Sequence, residues 1–280
     1  MPLKHKGLLW ILIWCLTFTC GVSTAKFLSS STSNFGLFCI RYVSGMLFFT
    51  PFFIQKLPSI NKLKSPIWLH LTRAACIGAS SLLTYQTYRN LPLAIATSIG
   101  FTGPLLAASF GIFLLKEKPS SAKIIALTLG YVGVLFIVQP TYTPITMYVL
   151  TGLGACILAG SANTLARKLT QKDSALMIML TSTLTLGIIA SFGFFFLDES
   201  INQHDLKLLL LIGVFGSFSQ FAYIKSVSYA EISFVAPFEY TRLLIAIPIG
   251  YFIFCEVINV GQIFGMLLIT SGSLYLSKKS

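Results

Sequence analysis

The sequence predicts an all-α polytopic membrane protein whose ten transmembrane helices form two inverted five-helix repeats. Three observations carry this: the composition, the lengths of the apolar runs, and a self-similarity at a shift of 139 positions. Hydrophobic residues make up 55% of the chain and charged ones 10%, with a mean hydropathy of +0.82. That leaves too few ionisable groups to coat a soluble globule of 280 residues. The net charge of +12 does not point to nucleic acid, because the basic residues sit in short clusters between apolar runs and not on one solvated face.

A bilayer core takes about 20 mostly apolar residues per helix. Cut by length and by its polar or proline interruptions, the chain yields spans over 8–28, 35–55, 67–89, 92–115, 121–139, 145–166, 174–197, 206–228, 231–254 and 257–276. The first follows Lys4 and Lys6 and ends in the small residues of GVSTA, the outline of a cleavable leader. Its apolar run is long enough to span and it has a partner in the repeat, so it is counted as a helix. The second carries Arg41 some way inside, and the third carries Arg73, Tyr85, Gln86 and Tyr88. The fourth holds Phe101, Gly103 and Pro104, and the fifth is apolar behind a lysine-rich turn. The sixth corresponds to the first; the acidic loop LDESINQHD separates the seventh from the eighth, which holds Tyr223 and Lys225. The ninth contains Pro237, Glu239, Tyr240, Arg242 and Pro248, and the tenth runs out to Lys278 and Lys279.

Lysine and arginine set the orientation. With the N-terminus in the cytoplasm, the inside segments hold thirteen basic residues: Lys4, Lys6, Lys56, Lys62, Lys64, Lys116, Lys118, Lys123, Arg167, Lys168, Lys172, Lys278 and Lys279. The outside turns hold three, Arg89, Lys26 and Lys207. Positively charged loops resist translocation, so both termini are expected inside.

The shift of 139 places Gly21 on Gly160, Gly111 on Gly250, Phe113 on Phe252, Glu117 on Glu256 and Gly133 on Gly272, without a gap. Residues 1–140 and 141–280 are thus read as two repeats of five spans each. An odd number of spans inverts the second repeat, and inverted repeats are a recurrent plan of secondary transporters, whose near-equivalent halves exchange conformations.

The six cysteines lie in or beside apolar segments with no CxxC, and the three histidines are widely separated. The cysteines read as packing thiols, and no metal site or cofactor is expected.

The stretches CIRYVSGMLFF, LLKEKPSSAKIIALTLGYVGVLFI and YFIFCEVINVGQIFGMLLITSGSLYL resemble the EamA-type members of the drug/metabolite transporter superfamily, over essentially the whole chain. Within it, LHLTRAACIG and APFEYTRLLIAIPIGYFIF are most similar to the S-adenosylmethionine uptake carriers of intracellular bacteria, with Glu239 and Arg242 in swapped order. The resemblance implies a bacterial inner-membrane carrier of a small organic metabolite, acting by uptake or exchange.

Few charged residues lie within the spans: Arg41, Arg73, Lys225, Glu231, Glu239 and Arg242. A charge at the bilayer centre costs at least ~2.5–3.5 kcal/mol, so each needs a partner or a cavity. Arg73 and Glu231 read as interfacial anchors near helix ends. Glu239 and Arg242 stand at i and i+3 on one face. They form either an internal salt bridge or the wall of a cavity where a zwitterion separates them, carboxylate to ammonium or sulfonium and guanidinium to carboxylate. Amino acids and S-adenosylmethionine both fit that charge pattern. Tyr85, Gln86, Phe101, Tyr223 and Tyr240 are candidates to line the same chamber, joined by Arg41 and Lys225. Gly103, Pro104, Pro237 and Pro248 interrupt helices at corresponding places in the two repeats and mark a gate.

The spans offer no serine–histidine dyad, paired aspartates or histidine-rich signature, which disfavours an intramembrane enzyme. A channel would present rings of like charge or carbonyl filters, and this chain presents single unlike charges. A transporter for a zwitterionic or cationic small molecule is the expected function. The oligomeric state, a homodimer included, is left open.

Overall fold

The structure, a computed structural model, describes residues 3–29, 32–55, 63–91, 96, 99–118, 120–138, 146–196, 201–254 and 260–279. The helices are α1 (Leu3–Ala25), α2 (Asn34–Gln55), α3 (Ile67–Asn90), α4 (Thr102–Leu115), α5 (Ser121–Val138), α6 (Met147–Thr170), α7 (Ala175–Phe194) and α8 (Gln203–Tyr229). They are followed by α9 (Ile232–Glu239), a 3₁₀ turn (Tyr240–Arg242), α10 (Leu243–Phe254) and α11 (Val260–Lys279). No strand occurs among the described residues. Six helical stretches there are long and apolar enough to cross a membrane: α1, α2, α6, α7, α8 and the run from α9 into α10. The apolar helices α4, α5 and α11 contribute shorter stretches, and α3 carries a buried polar face that includes His70, Arg73, Ser80 and Ser81. Part of the predicted fourth span, at 92–95 and 97–98, lies outside the described residues, as does the Glu256 end of the repeat match.

The helix starts follow local chemistry. Ser174 accepts from the Met177 N–H at the head of α7, Asn202 accepts from the Asp205 N–H at the head of α8, and Ser33 accepts from Gly36 in α2. Each side-chain oxygen satisfies an amide that the helix itself leaves unpaired. α4 ends on Lys116, which takes the left-handed conformation at φ 55° and turns the chain so that the Glu117 N–H reaches Gly111 O.

Packing joins the two predicted repeats far more than it joins helices within one. α1 packs on α8, α3 on α6, α2 on α7, α4 on the α9 segment and α5 on α11. The two secondary contacts α2·α8 and α3·α7 are likewise exchanged when each helix is replaced by its counterpart five spans on. At α5·α11 the reciprocity reaches single atoms. A Cβ on Gly133 would lie 2.7 Å from Gly265 O, and one on Gly272 would lie 3.3 Å from Ala126 O, so the missing side chains let the two backbones approach. Gly265 stands 139 positions after Ala126, as Gly272 does after Gly133.

The helix interruptions obey the same shift. The helix containing α9 breaks just after Pro237, and the freed Phe238 carbonyl accepts from the Thr241 hydroxyl at 2.7 Å and the Cys15 thiol at 3.6 Å. Before α4, Ile99 O accepts from the Thr102 hydroxyl at 2.8 Å and the Cys156 thiol at 3.3 Å. Each of the two carbonyls thus accepts from two side chains, a hydroxyl three residues on and a thiol of another helix. The two cysteines read as packing residues are therefore also donors. Between the breaks, the rings of Phe101 and Tyr240 meet at 5.3 Å.

Candidate substrate-binding site

A cavity opens between the helices, and its walls come from α1, α2, α3, α4 with the segment before it, α6, α8 and the break after α9. The space between the walls is about 930 Å³, counting the part that opens outward, which suits a metabolite-sized ligand. It lies toward the end of the bundle where α1 and α3 finish, as the lining residues Val22, Thr87, Tyr88 and Gly152 show. A wide vestibule at that end, between Ala25 and Asn34 and around Arg89, shares Tyr88 with the cavity.

Glu239 and Arg242 both line the cavity and both are buried, with 4% and 6% of their surface exposed. The break in the helix puts them there: Glu239 closes α9, and the 3₁₀ turn delivers Arg242 three residues on. They are not paired with each other within 4.0 Å. Glu239 Oε1 instead accepts the Tyr223 hydroxyl at 3.1 Å. The Arg242 guanidinium lies 4.4 Å from the Phe101 ring centre, 5.3 Å from that of Phe18 and 5.8 Å from that of Trp14. Its Nε and Nη2 atoms, both buried, have no hydrogen-bond partner. Aromatic faces lower the cost of the desolvated cation but leave its in-plane donors unused.

The remaining sequence-predicted residues divide. Tyr85, Tyr223, Arg41, Gly103 and Pro104 line the cavity. Gly103 faces open space, with nothing within 4 Å of an added Cβ, and Pro104 sits in the first turn of α4, where its missing N–H costs no helical bond. Phe101 lies behind Arg242 and carries its guanidinium. Tyr240 is fully buried off the cavity, its ring against Phe101 and against Gly130 of α5. Lys225 also lies off the cavity, its ammonium over the Phe221 and Tyr229 rings. Gln86, one position round α3 from Tyr85, is absent from the lining. Pro237 and Pro248 lie inside α9 and α10 and shape the helix without touching the cavity.

Arg73 departs from the expectation of an interfacial anchor. Only 1% of it is exposed, and it donates to Ser182 Oγ at 2.6 Å and Gln220 Oε1 at 3.2 Å. Six residues into α3, it faces α7 and α8, which leave it no route to the interface. Sequence reasoning also passed over Trp14, Phe18 and Gln220 in the lining, because aromatic and amide residues at helical spacing look the same on a lipid face and a cavity face.

The end of the bundle that holds the N-terminus carries a polar cluster. Glu117 accepts the Ile232 N–H at 3.0 Å and the Ser233 N–H at 2.9 Å, placing a carboxylate on the N-terminus of α9. Arg167 stands 3.6 Å from Glu117 and donates to Val227 O at 2.7 Å, while Lys123 pairs with Glu231.

The EamA-like transporter family model matches the chain twice, over residues 5–139 and 146–278. Similar proteins include an S-adenosylmethionine uptake transporter of Rickettsia prowazekii (strain Madrid E), 22% identical over 276 residues, covering 97% of this chain and 92% of the relative. A riboflavin transporter of Vibrio cholerae serotype O1 is 26% identical over 269 residues, covering 91% of this chain and 88% of the relative. A solved crystal structure superposes with a TM-score of 0.77 at 13% identity, covering 99% of this chain and 97% of that one.

Proposed function

The chain belongs to the EamA-like transporter family, and from that premise we propose that it is a secondary transporter of ten spans in two inverted five-helix repeats, 1–140 and 141–280. It carries a zwitterionic small organic metabolite across a bacterial inner membrane, with both termini in the cytoplasm. The observation that carries the substrate class is the separated pair: Glu239 and Arg242 face one cavity without bonding each other, and Arg242 keeps two buried donors unused. A zwitterion satisfies both, its ammonium or sulfonium taking Glu239 in competition with Tyr223 and its carboxylate taking Arg242. A flat ring on the same molecule stacks among Trp14, Phe18, Tyr85 and Tyr88. S-adenosylmethionine combines these groups, and the name of the Rickettsia relative supports it. An amino-acid or other metabolite exporter is the second reading, favoured by the part of the pattern that needs only the ammonium and the carboxylate.

The doubled match to the family model and the helix contacts exchanged between repeats support alternating access by rocking of the two halves. In this conformation the polar cluster around Glu117 holds the N-terminal end shut, and the cavity communicates with the opposite end through the vestibule at Tyr88.

Counterflow in proteoliposomes tests the reading. Vesicles preloaded with S-adenosylmethionine, with methionine or with riboflavin are challenged with labelled S-adenosylmethionine, and accumulation is expected with the first. Glu239→Gln is expected to lower uptake at least tenfold while the protein remains folded in the membrane. Unchanged uptake in that variant removes Glu239 from the site.

A further inference from the structure

A small second pocket, lined by Arg41, Arg73, Ser182, Gly216 and Gln220 among others, lies beside the first cavity. The two share Arg41, Ile77 and Gln220 as walls. The pocket brings together two cations from different helices, Arg41 of α2 and Arg73 of α3, which are 7% and 1% exposed.

Among the described residues no carboxylate lies within 4.0 Å of either guanidinium. Arg73 spends Nη1 on Ser182 and Nη2 on Gln220, both neutral acceptors, and its buried Nε has no partner. Arg41 donates to the Tyr42 hydroxyl at 3.3 Å and lies over the rings of Tyr42 and Tyr85, at 4.8 and 5.3 Å from their centres. The backbone makes room for it, since a Cβ on Gly216 would sit 2.5 Å from Arg41 Nε.

Two desolvated guanidinium groups without an anion are the costly half of an ion pair, and such a charge deep in a membrane protein marks a site awaiting its partner. Each guanidinium is a planar fork that matches a carboxylate in bidentate fashion. We propose that Arg41 and Arg73 form an anion subsite that takes one carboxylate group, entered from the first cavity past Gln220. Its role in transport rests on the carrier function proposed above; its existence rests on the pocket alone. The carboxylate is either that of the transported molecule, which then moves from Arg242 to this subsite, or that of a free organic anion bound alongside it.

The test uses the full-length protein in nanodiscs of neutral lipid, in a carboxylate-free chloride buffer at constant ionic strength, with acetate as the probe. Acetate is expected to raise the thermal midpoint saturably. Arg41→Gln and Arg73→Gln should each weaken that response at least tenfold, whereas Lys225→Gln, at a position off both pockets, should leave it intact. Where a glutamine variant does not fold, Arg73→Lys, which keeps the charge and loses the fork, and Gly216→Ala, which crowds Arg41, are expected to weaken it comparably. No acetate response in the unmodified protein, or an unchanged response in these variants, overturns the subsite. Competition then separates the two sources, and either result supports the subsite. Displacement of acetate by S-adenosylmethionine but not by its carboxyl methyl ester assigns the subsite to the transported molecule. Simultaneous binding of both assigns it to a free anion. Uptake without any acetate response removes the subsite and leaves the carrier, while an acetate response without uptake of any tested metabolite does the reverse.

Discussion

At the scale of single residues, the informative comparison is between a side chain and what stands at its repeat-equivalent position. Glu239 and Arg242 correspond, 139 positions back, to Gly100 and Gly103. Gly100 is the reason Arg242 fits, because a Cβ there would lie 2.8 Å from Arg242 Nη2. Gly100→Ala is therefore expected to push the guanidinium off its aromatic bed. The cost of crowding a packed site is about 1–3 kcal/mol, so KM for the transported molecule should rise by about tenfold or more, read from initial uptake rates with expression unchanged. The pair Glu239/Arg242 was legible in the sequence because charge at membrane depth is rare. Arg73 was visible for the same reason but misjudged, since its place near the start of α3 looked interfacial and only the packing of α7 and α8 against it shows that it is enclosed.

At the scale of elements, Pro237 and the Gly103–Pro104 pair stand within a few residues of a helix break or start, and the sequence carried that much, whereas Pro248 lies inside an unbroken α10. It did not carry which atoms heal the breaks, because a thiol from a helix far away in sequence supplies one donor at each. Tyr240 and Lys225 were misplaced for a related reason. A 3₁₀ turn and a cation–aromatic contact set their direction, and neither leaves a periodic trace. The connection between α6 and α7 shows how loops are fixed to helices. Asp173, in that connection, accepts the Lys64 N–H at 2.8 Å and the Ser65 N–H at 3.2 Å, with His70 at 3.4 Å. Burial works to raise this carboxyl, but the hydrogen bonds from Ser65, Lys64 and His70 outweigh it and hold it below the ordinary carboxylate range. A depressed carboxylate contributes stability above its unfolded-state pKa and loses it as pH falls through the folded one. The thermal midpoint should accordingly fall on acidification below the ordinary aspartate range. Asp173→Asn should lower the midpoint at neutral pH and flatten that acid limb.

At the scale of the whole molecule, the all-helical, polytopic class was readable from composition and apolar run lengths. The conformational state was not, because it depends on which end is latched. Glu117 stood out in the sequence as half of a repeated glutamate loop, yet its task, accepting two amides of α9 across the bundle, required the fold. Glu117→Gln keeps the shape and removes the charge that complements the helix N-terminus, a contribution of about 1 kcal/mol. Amide exchange at Ile232 and Ser233 should then quicken by roughly fivefold. Amides at the opposite end of the bundle should exchange at their former rates.

The acid and the guanidinium both belong to the second half of the chain, while the first half answers them with glycines. Under the proposed rocking of the two halves, a molecule gripped by that pair would stay registered to a single half throughout the cycle and be delivered without being turned end over end. Discrimination between mirror-image substrates would then be the same on loading and on release, on whichever side the proposed carrier opens.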